Sequence, residues 1–227
     1  MAGIYLHIPF CKTRCIYCDF YSTTRSELKT HYVHTLCREL EMRKEYLKGE
    51  PVETIYFGGG TPSQLEEADF KHIFETIREN YGMEHCREIT LEANPDDLSQ
   101  EYLKMLSSLP FNRISMGIQT FDDTTLQLLK RRHSSQTAVE AVRRCREAGF
   151  QNIIMLEGSW VGDKTRESMK VCGYEKLSEM YKVPFKDMQA DPGELTECGG
   201  MELEICREAK SLDFPVSYTH LRAHETP

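Results

Sequence analysis

Short apolar runs alternate with longer amphipathic segments from residue 4 to residue 156, and this rhythm constrains the fold more than any other feature of the chain. IYLHI (4–8), ETIYF (53–57), EITLEA (88–93), RISMGI (113–118) and NIIML (152–156) read as strands. Between them, apolar residues recur at helical spacing. Leu28, Tyr32, Leu36, Leu40 and Leu47 predict a helix over 25–48, stopped by Gly49 and Pro51. Phe70, Ile73, Phe74 and Ile77 predict a second over 66–80, and shorter helices are expected near 99–108, 122–131 and 135–147. Parallel strands need helical crossovers, so this alternation predicts an α/β fold with a parallel sheet.

The chain has 227 residues, of which 40% are hydrophobic, so it can bury a core. Its net charge of −8 argues against a nucleic-acid partner, since phosphate backbones are met by Lys and Arg. No apolar run reaches the roughly 18 residues of a membrane span. MAGIYLHIPF lacks the basic start and long apolar stretch of a secretory signal. The expected compartment is the reducing cytoplasm, where clustered cysteines bind metal or do chemistry more often than they form disulfides. The cysteine count of nine is odd, which fits a disulfide framework poorly.

HIPFCKTRCIYCDFYS (7–22) puts Cys11, Cys15 and Cys18 on one short loop after a predicted strand. The spacing is C-x3-C-x2-C. A structural zinc site wants four closed ligands, usually in C-x2-C pairs, and no second pair lies nearby. His7 could serve as a ligand, but it sits in the strand. A [4Fe–4S] cube can be held by three thiolates, which leaves one iron open to a small chelating ligand. A second feature is YFGGGTPS (56–63), three glycines directly after a strand. Such a turn lets backbone approach a ligand and point N–H groups at a carboxylate, although a plain glycine turn has the same look. A third is a set of polar residues near predicted strand and helix ends: Glu92, Gln119 and Arg131. In a βα barrel, active sites gather at the C-terminal ends of the strands.

YLHIPFCKTRCIYCDFYS resembles the cluster motif of the radical SAM superfamily (SAM, S-adenosylmethionine). It is similar to the coproporphyrinogen III oxidase-like branch that includes the HemW haem chaperones. The resemblance runs from about residue 3 to residue 153. It implies a partial (β/α) TIM-type barrel, truncated after about five strands, with an irregular C-terminal segment. It implies that Cys11, Cys15 and Cys18 hold a [4Fe–4S] cluster whose open iron chelates SAM. Gly59, Gly60 and Thr61 match the segment that holds the methionine part of SAM. Glu92, Gln119 and Arg131 match further SAM contacts, and Tyr5 and Tyr17 match two aromatic contact positions. The family's reaction is reductive cleavage of SAM to methionine and a 5′-deoxyadenosyl radical. The electron comes from a donor such as flavodoxin or ferredoxin, and the partner molecule is haem or a porphyrinogen. Coproporphyrinogen oxidases proper carry a fourth cysteine two residues after the third, where Phe20 stands here. CDF therefore points to a HemW-like haem chaperone ahead of the oxidative decarboxylase, with a zinc-binding structural module third. The family places an Asp on the fifth strand, and Leu156 occupies that position.

Of the remaining cysteines, Cys37, Cys86 and Cys145 read as buried small hydrophobes. Cys172, Cys198 and Cys206 fit no second cluster pattern. His31, His34 and His72 read as helix-surface residues, while the role of His7 is open. After residue 156 the rhythm breaks. Residues 157–214 show no clear strand–helix pair, only a helix-like MELEICREAKSL, and read as unassigned, with a foreign or frame-shifted join as the alternative. PVSYTHLRAHETP (215–227) resembles the translated read-through of a sequencing-library adapter. The expected domains are thus a core over 1–156, an unassigned segment over 157–214 and a tail over 215–227.

Overall fold

The structure, a computed structural model, describes residues 2–150, 155–157, 167, 170, 174–187, 190, 193–198 and 201–206. The chain divides into two compact units, Met1–Gln151 and Asn152–Pro227.

The first unit is built on a sheet of four parallel strands in the order β1-β2-β3-β4. These are β1 (Ala2–Ile8), β2 (Val52–Gly59), β3 (Glu88–Ala93) and β4 (Arg113–Met116). Spatial order follows chain order because each crossover returns through a helix: α1 (Lys29–Met42), α2 (Glu67–Tyr81) and α3 (Gln100–Ser107). Two further helices, α4 (Asp123–Leu128) and α5 (Ser135–Glu147), follow β4. This is the parallel α/β sheet that the alternation predicts, and it is consistent with the partial barrel that the resemblance implies.

Register divides the sheet into two faces. Ile55 pairs with Ile4 and Ile89, and Phe57 pairs with Leu6 and Leu91. All of these are buried. α2 supplies Phe70, Ile73, Phe74 and Ile77 from a single stripe. Phe57, Phe70 and Phe111 meet with ring centroids 5.1 to 5.6 Å apart, in edge-to-face geometry. α1 adds Val33, Cys37 and Leu40. α2 begins with a capping box: the Glu66 carboxylate accepts from the backbone of Asp69, and the Glu66 N–H donates to the Asp69 carboxylate at 3.0 Å. Ser99, Asp122 and Ser134 cap α3, α4 and α5 through their side-chain oxygens.

Several boundaries differ from the sequence reading. The helix expected over 25–48 is α1 alone, preceded by a 3-10 turn at Ser26–Leu28. Past Met42 the chain RKEYLKG packs only Leu47 against the core, while Tyr46 is largely exposed. β2 runs on into Gly58 and Gly59 instead of ending at Phe57, because β1 continues to pair with it as far as Ile8. β4 stops at Met116, two residues early, as the backbone turns toward Gln119 at φ +69°. Cys37 and Cys145 are buried as expected, whereas Cys86 is half-buried and donates its thiol to the Glu88 carbonyl.

In the second unit β5 (Met155–Glu157) pairs in parallel with β6 (Phe185–Asp187), and α6 (Tyr174–Tyr181) precedes β6. β7 (Gly193–Cys198) and β8 (Met201–Cys206) form an antiparallel hairpin. MELEIC is therefore a strand, not a helix. Met201, Leu203 and Ile205 alternate with acidic residues, a period-two pattern, and the neighbouring Gly199–Gly200 in the sequence is a hairpin signal. Register sets Cys198 opposite Met201 and Cys206 opposite Gly193, at opposite ends of the hairpin. Leu156 lies on β5 opposite Lys186. Residues 152–154 of the expected fifth strand, Cys172 and the tail 215–227 lie outside the described residues.

Candidate metal centre

The C-terminal halves of β1, β2 and β3, the loops that leave them, the turn after β4 and the turn after α4 carry the candidate residues. The cysteine loop leaves β1 through Pro9. It is closed on itself by hydrogen bonds from Cys11 N to Thr23 O (2.9 Å) and from Thr23 N to Pro9 O (2.7 Å). Within it, Cys18 N donates to Cys15 O at 3.3 Å, and Ile16 N donates to Leu129 O at 3.4 Å, which ties the loop to the end of α4. Cys11, Cys15 and Cys18 are all unpaired thiols with partial exposure.

The glycine turn lies directly against this loop. Gly60 N donates to Ile8 O at 2.8 Å. A Cβ at Gly60 would stand 2.8 Å from the Pro9 carbonyl carbon and 3.0 Å from Cys11 Sγ, so a side chain there would press into the cysteine loop. Gly59 has φ +109°, and a Cβ there would strike the His7 ring at 2.7 Å. The buried Thr61 hydroxyl donates to Cys11 Sγ at 3.4 Å. Burial pushes the Cys11 thiol up, and the Thr61 hydrogen bond pulls against that shift.

Arg131 reaches the loop from the other side. Nη1 donates to Cys15 Sγ at 3.5 Å, while Nη2 donates to Asn94 Oδ1 (2.5 Å) and to Gly117 O (2.6 Å). Asn94 in turn donates to Thr61 Oγ1 at 3.4 Å. Cys11, Thr61, Asn94, Arg131 and Cys15 thus form one connected chain of contacts. Burial raises the Tyr17 phenol strongly, opposed by Arg131 and reinforced by Cys15, which places Tyr17 beside both. Gln119 sits on the positive-φ turn just after Gly117.

Glu92 and Tyr5 occupy the sheet face opposite the helices. Glu92 Oε1 accepts from Tyr56 Oη at 2.7 Å, and Oε2 accepts from Gly59 N at 3.1 Å. Burial raises the Glu92 carboxyl, with both hydrogen bonds acting to lower it. Tyr5 stacks on Tyr56 with centroids 6.0 Å apart, and burial raises its phenol to about 12. His7 pairs through Nδ1 with Tyr5 Oη (3.2 Å) and through Nε2 with Tyr21 O (2.9 Å), so both its nitrogens are engaged within the fold. The structure therefore gathers Cys11, Cys15, Thr61 and Arg131 around the loop. It sets Tyr5, Gly59 and Glu92 on the adjoining sheet face.

Sequence reasoning missed Tyr56, Asn94 and Asp97. Tyr56 and Asn94 had a signal, since each lies within two residues of a motif already singled out. Asp97 had none that spacing reveals.

The donor set fits a thiolate-held cluster: three soft ligands on one loop, a glycine backbone pressed against the first and a guanidinium on the second. Among the described residues, no three His, Cys, Asp or Glu side chains converge on a point where one metal ion could be held. A closed zinc shell needs such convergence. Thiolates that each bind a different iron of a cube do not. Among the described residues, no helix is long and apolar enough to cross a membrane.

A family model described as the Radical SAM superfamily matches residues 5–164. A second, described as a domain of unknown function (DUF362), matches residues 133–227. Among curated proteins, the heme chaperone HemW of Bacillus subtilis (strain 168) is 41% identical over 157 residues, covering 67% of this chain and 41% of its own length. The HemW of Lactococcus lactis is 39% identical over 150 residues, covering 66% and 38% respectively. The chain spans about two fifths of the length of these curated relatives. Among solved structures, coproporphyrinogen III oxidase (HemN) from Escherichia coli, titled a radical SAM enzyme, superposes with a TM-score of 0.67 at 26% identity. That match covers 82% of this chain and 43% of HemN. The archaeal Methanocaldococcus infernus Elp3 shares the fold at a TM-score of 0.53 and 16% identity, over 85% of this chain and 46% of Elp3.

Proposed function

Since the chain belongs to the radical SAM superfamily, we propose that Cys11, Cys15 and Cys18 hold a [4Fe–4S] cluster and that the rim around them binds SAM, as part of a HemW-like haem chaperone of the cytoplasm. When bound, the cluster supplies the electron for reductive cleavage of SAM. The observation that carries this reading is the contact chain in which Thr61 meets Cys11 and Arg131 meets Cys15 at one rim of the sheet. Arg131 brings a guanidinium N–H to Cys15 Sγ, an outer contact that would help orient a ligating sulfur. Gly59 and Gly60 keep side chains away from the loop, leaving backbone where the methionine end of SAM would lie. Glu92 is held by Tyr56 and by the Gly59 N–H, so its carboxylate has a set direction from which to accept the SAM amino group. Tyr5 and Tyr17 border the site with aromatic rings, and Gln119 adds a polar group at the turn after β4.

Haem is the partner molecule in this reading, with the electron drawn from a flavodoxin- or ferredoxin-type donor. The structural likeness to HemN favours the decarboxylase reading, but the higher identity to HemW chaperones and Phe20 in place of a fourth cysteine support the chaperone. Residues 1–156 are the core in this proposal. The unassigned segment 157–214 and the tail 215–227 are tested by re-reading the gene from its source DNA.

The test is anaerobic reconstitution of the chain with iron and sulfide, followed by reduction and EPR with and without SAM. The expected result is a reduced [4Fe–4S] signal that changes when SAM is added and is lost in Cys15→Ser. One bound zinc with no labile sulfide would overturn it. A haem titration with a saturable Soret shift, in the absence of protoporphyrinogen IX production, would separate the chaperone from the decarboxylase.

A further inference from the structure

A carboxylate outside the cysteine loop gathers the segments around it. Asp97 lies in the 3-10 turn Pro95–Asp97 after β3, with its side chain 2% exposed. Oδ1 accepts from Lys12 Nζ at 2.8 Å and from Arg132 Nη2 at 3.1 Å. Oδ2 accepts from Ser63 Oγ at 2.9 Å and from Gln64 Nε2 at 2.8 Å. An ionised carboxylate offers about four lone-pair sites, and here each has a donor. Arg132 is braced further, since Nη1 meets Asp96 Oδ2 at 2.8 Å.

The donors come from three separate segments, and each segment carries a residue of the candidate site. Lys12 follows Cys11. Ser63 and Gln64 come just after Thr61, in the turn that leaves the glycines. Arg132 follows Arg131. The turn holding Asp97 itself continues from Glu92 and Asn94. These segments are far apart in sequence, so local structure alone does not bring them into register.

We propose that Asp97 is a positioning residue that registers the cysteine loop against the glycine turn and against Arg131, so that Cys11, Thr61 and Arg131 meet at one rim. This rests on the reading of the cysteine loop as a cluster site. The chemistry favours a carboxylate over an amide. An asparagine keeps the shape, but its NH2 group would face either the Lys12–Arg132 pair or the Ser63–Gln64 pair and deprive it of an acceptor. It would also leave two cations facing a neutral group. Consistently, the Asp97 carboxyl is held below the usual range: burial raises it, and the Lys12, Arg132 and Ser63 contacts outweigh burial. Lys12 separates positioning from folding. It is half-exposed and belongs to the loop, so removing its ammonium unties the loop from Asp97 without touching the core.

The test compares the full chain with Asp97→Asn and Lys12→Met under anaerobic conditions. The readouts are the alkylation rate of Cys11 in the metal-free chain, followed by mass spectrometry, the iron and sulfide held after reconstitution, and the thermal midpoint. Loss of an outer-shell partner costs metal sites about 10- to 100-fold in affinity. Asp97→Asn is accordingly expected to speed Cys11 alkylation and weaken iron retention by about tenfold or more. Lys12→Met is expected to move both in the same direction while leaving the thermal midpoint unchanged. The proposal is overturned if neither variant changes Cys11 reactivity or iron content. It is also overturned if Asp97→Asn only lowers the midpoint while Lys12→Met changes nothing, which would make Asp97 a folding residue. If the parent chain takes up no iron, the cluster reading fails, and Cys11 reactivity in the two variants still decides the positioning role.

Discussion

The two faces of the four-stranded sheet are made by alternate residues of the same strands, yet they are opposite in chemistry. The helix-covered face is apolar throughout, from Ile4, Leu6 and Ile8 through Ile55 and Phe57 to Ile89 and Leu91. The other face reads Tyr5 and His7, Tyr56, Thr90 and Glu92, Arg113 and Ser115. Thr90 and Tyr56 on that face are as buried as the core, so their polar groups need partners. Tyr56 donates to Glu92, and Thr90 and Arg113 both donate to Glu88 at 2.9 Å. The first face holds the fold through contact area, which is non-directional. The second holds directions, which is what binding a small charged molecule requires.

The largest effect is expected where area alone matters. Phe70→Ala should destabilise the chain by about 3–5 kcal/mol, because the Phe57–Phe111 cluster closes badly over the cavity. A urea midpoint close to that of the parent would mean the helix-covered face is not the principal core.

Tyr56→Phe tests the other face with nearly the same volume. It removes the donor to Glu92 and should cost about 1–2 kcal/mol of stability. Because the Glu92 carboxylate then rests on Gly59 N–H with one fewer tether, SAM binding by calorimetry should weaken more than the stability loss alone implies. Equal SAM affinity in Tyr56→Phe would show that the direction of Glu92 is set elsewhere.

Two carboxylates sharpen the contrast through opposite pH dependence. Glu92 has a raised pKa in the fold, so its contribution to stability is fully present at low pH. That contribution is lost as pH rises from the ordinary carboxylate range through the raised value. Asp97 has a lowered pKa, so its contribution is present above the ordinary range and is lost as pH falls through the lowered value. Unfolding of Glu92→Gln and Asp97→Asn, measured across acidic to neutral pH, should therefore deviate from the parent with opposite slopes. Parallel curves would contradict both assignments.

The smallest effect belongs to the solvent side of α2. Lys71→Ala removes an exposed ion pair with Glu67, and the urea midpoint should stay close to that of the parent because solvent screens the pair. A larger loss in the urea midpoint would mean that surface charge contributes more to this fold than the sheet comparison allows.

The elements were readable where a local repeat carried them. Phe70, Ile73, Phe74 and Ile77 mark one helix stripe, and α5 falls on the expected residues because Ser134 caps it and a buried Ala138–Ala141–Cys145 stripe fills it. Gly58 and Gly59 were misjudged as a strand end because pairing with β1, a non-local event, carries β2 through them. MELEIC was misjudged as helical because four of its six residues are Leu, Glu or Met, which helices favour, while its period of two and the hairpin partner decide for strand. At the candidate site, Cys11, Cys15, Cys18 and the glycine turn were visible as spacing. Tyr56 and Asn94 were signalled only by their place in or beside quoted segments, and Asp97 by nothing, since a lone Asp near a strand end has no spacing signature.

The amino-acid sequence by itself determined the parallel strand–helix order, the apolar stripes and the presence of three thiols on one short loop. Each of these is written in residues within a few positions of one another, where backbone geometry sets the period. Tertiary structure alone decided that Thr61 meets Cys11, that Arg131 meets Cys15 across more than a hundred residues, and that Asp97 collects donors from three segments. Those contacts depend on sheet register and on where the turns after β2, β3 and β4 come to rest, and long-range closure of that kind leaves no local periodic trace.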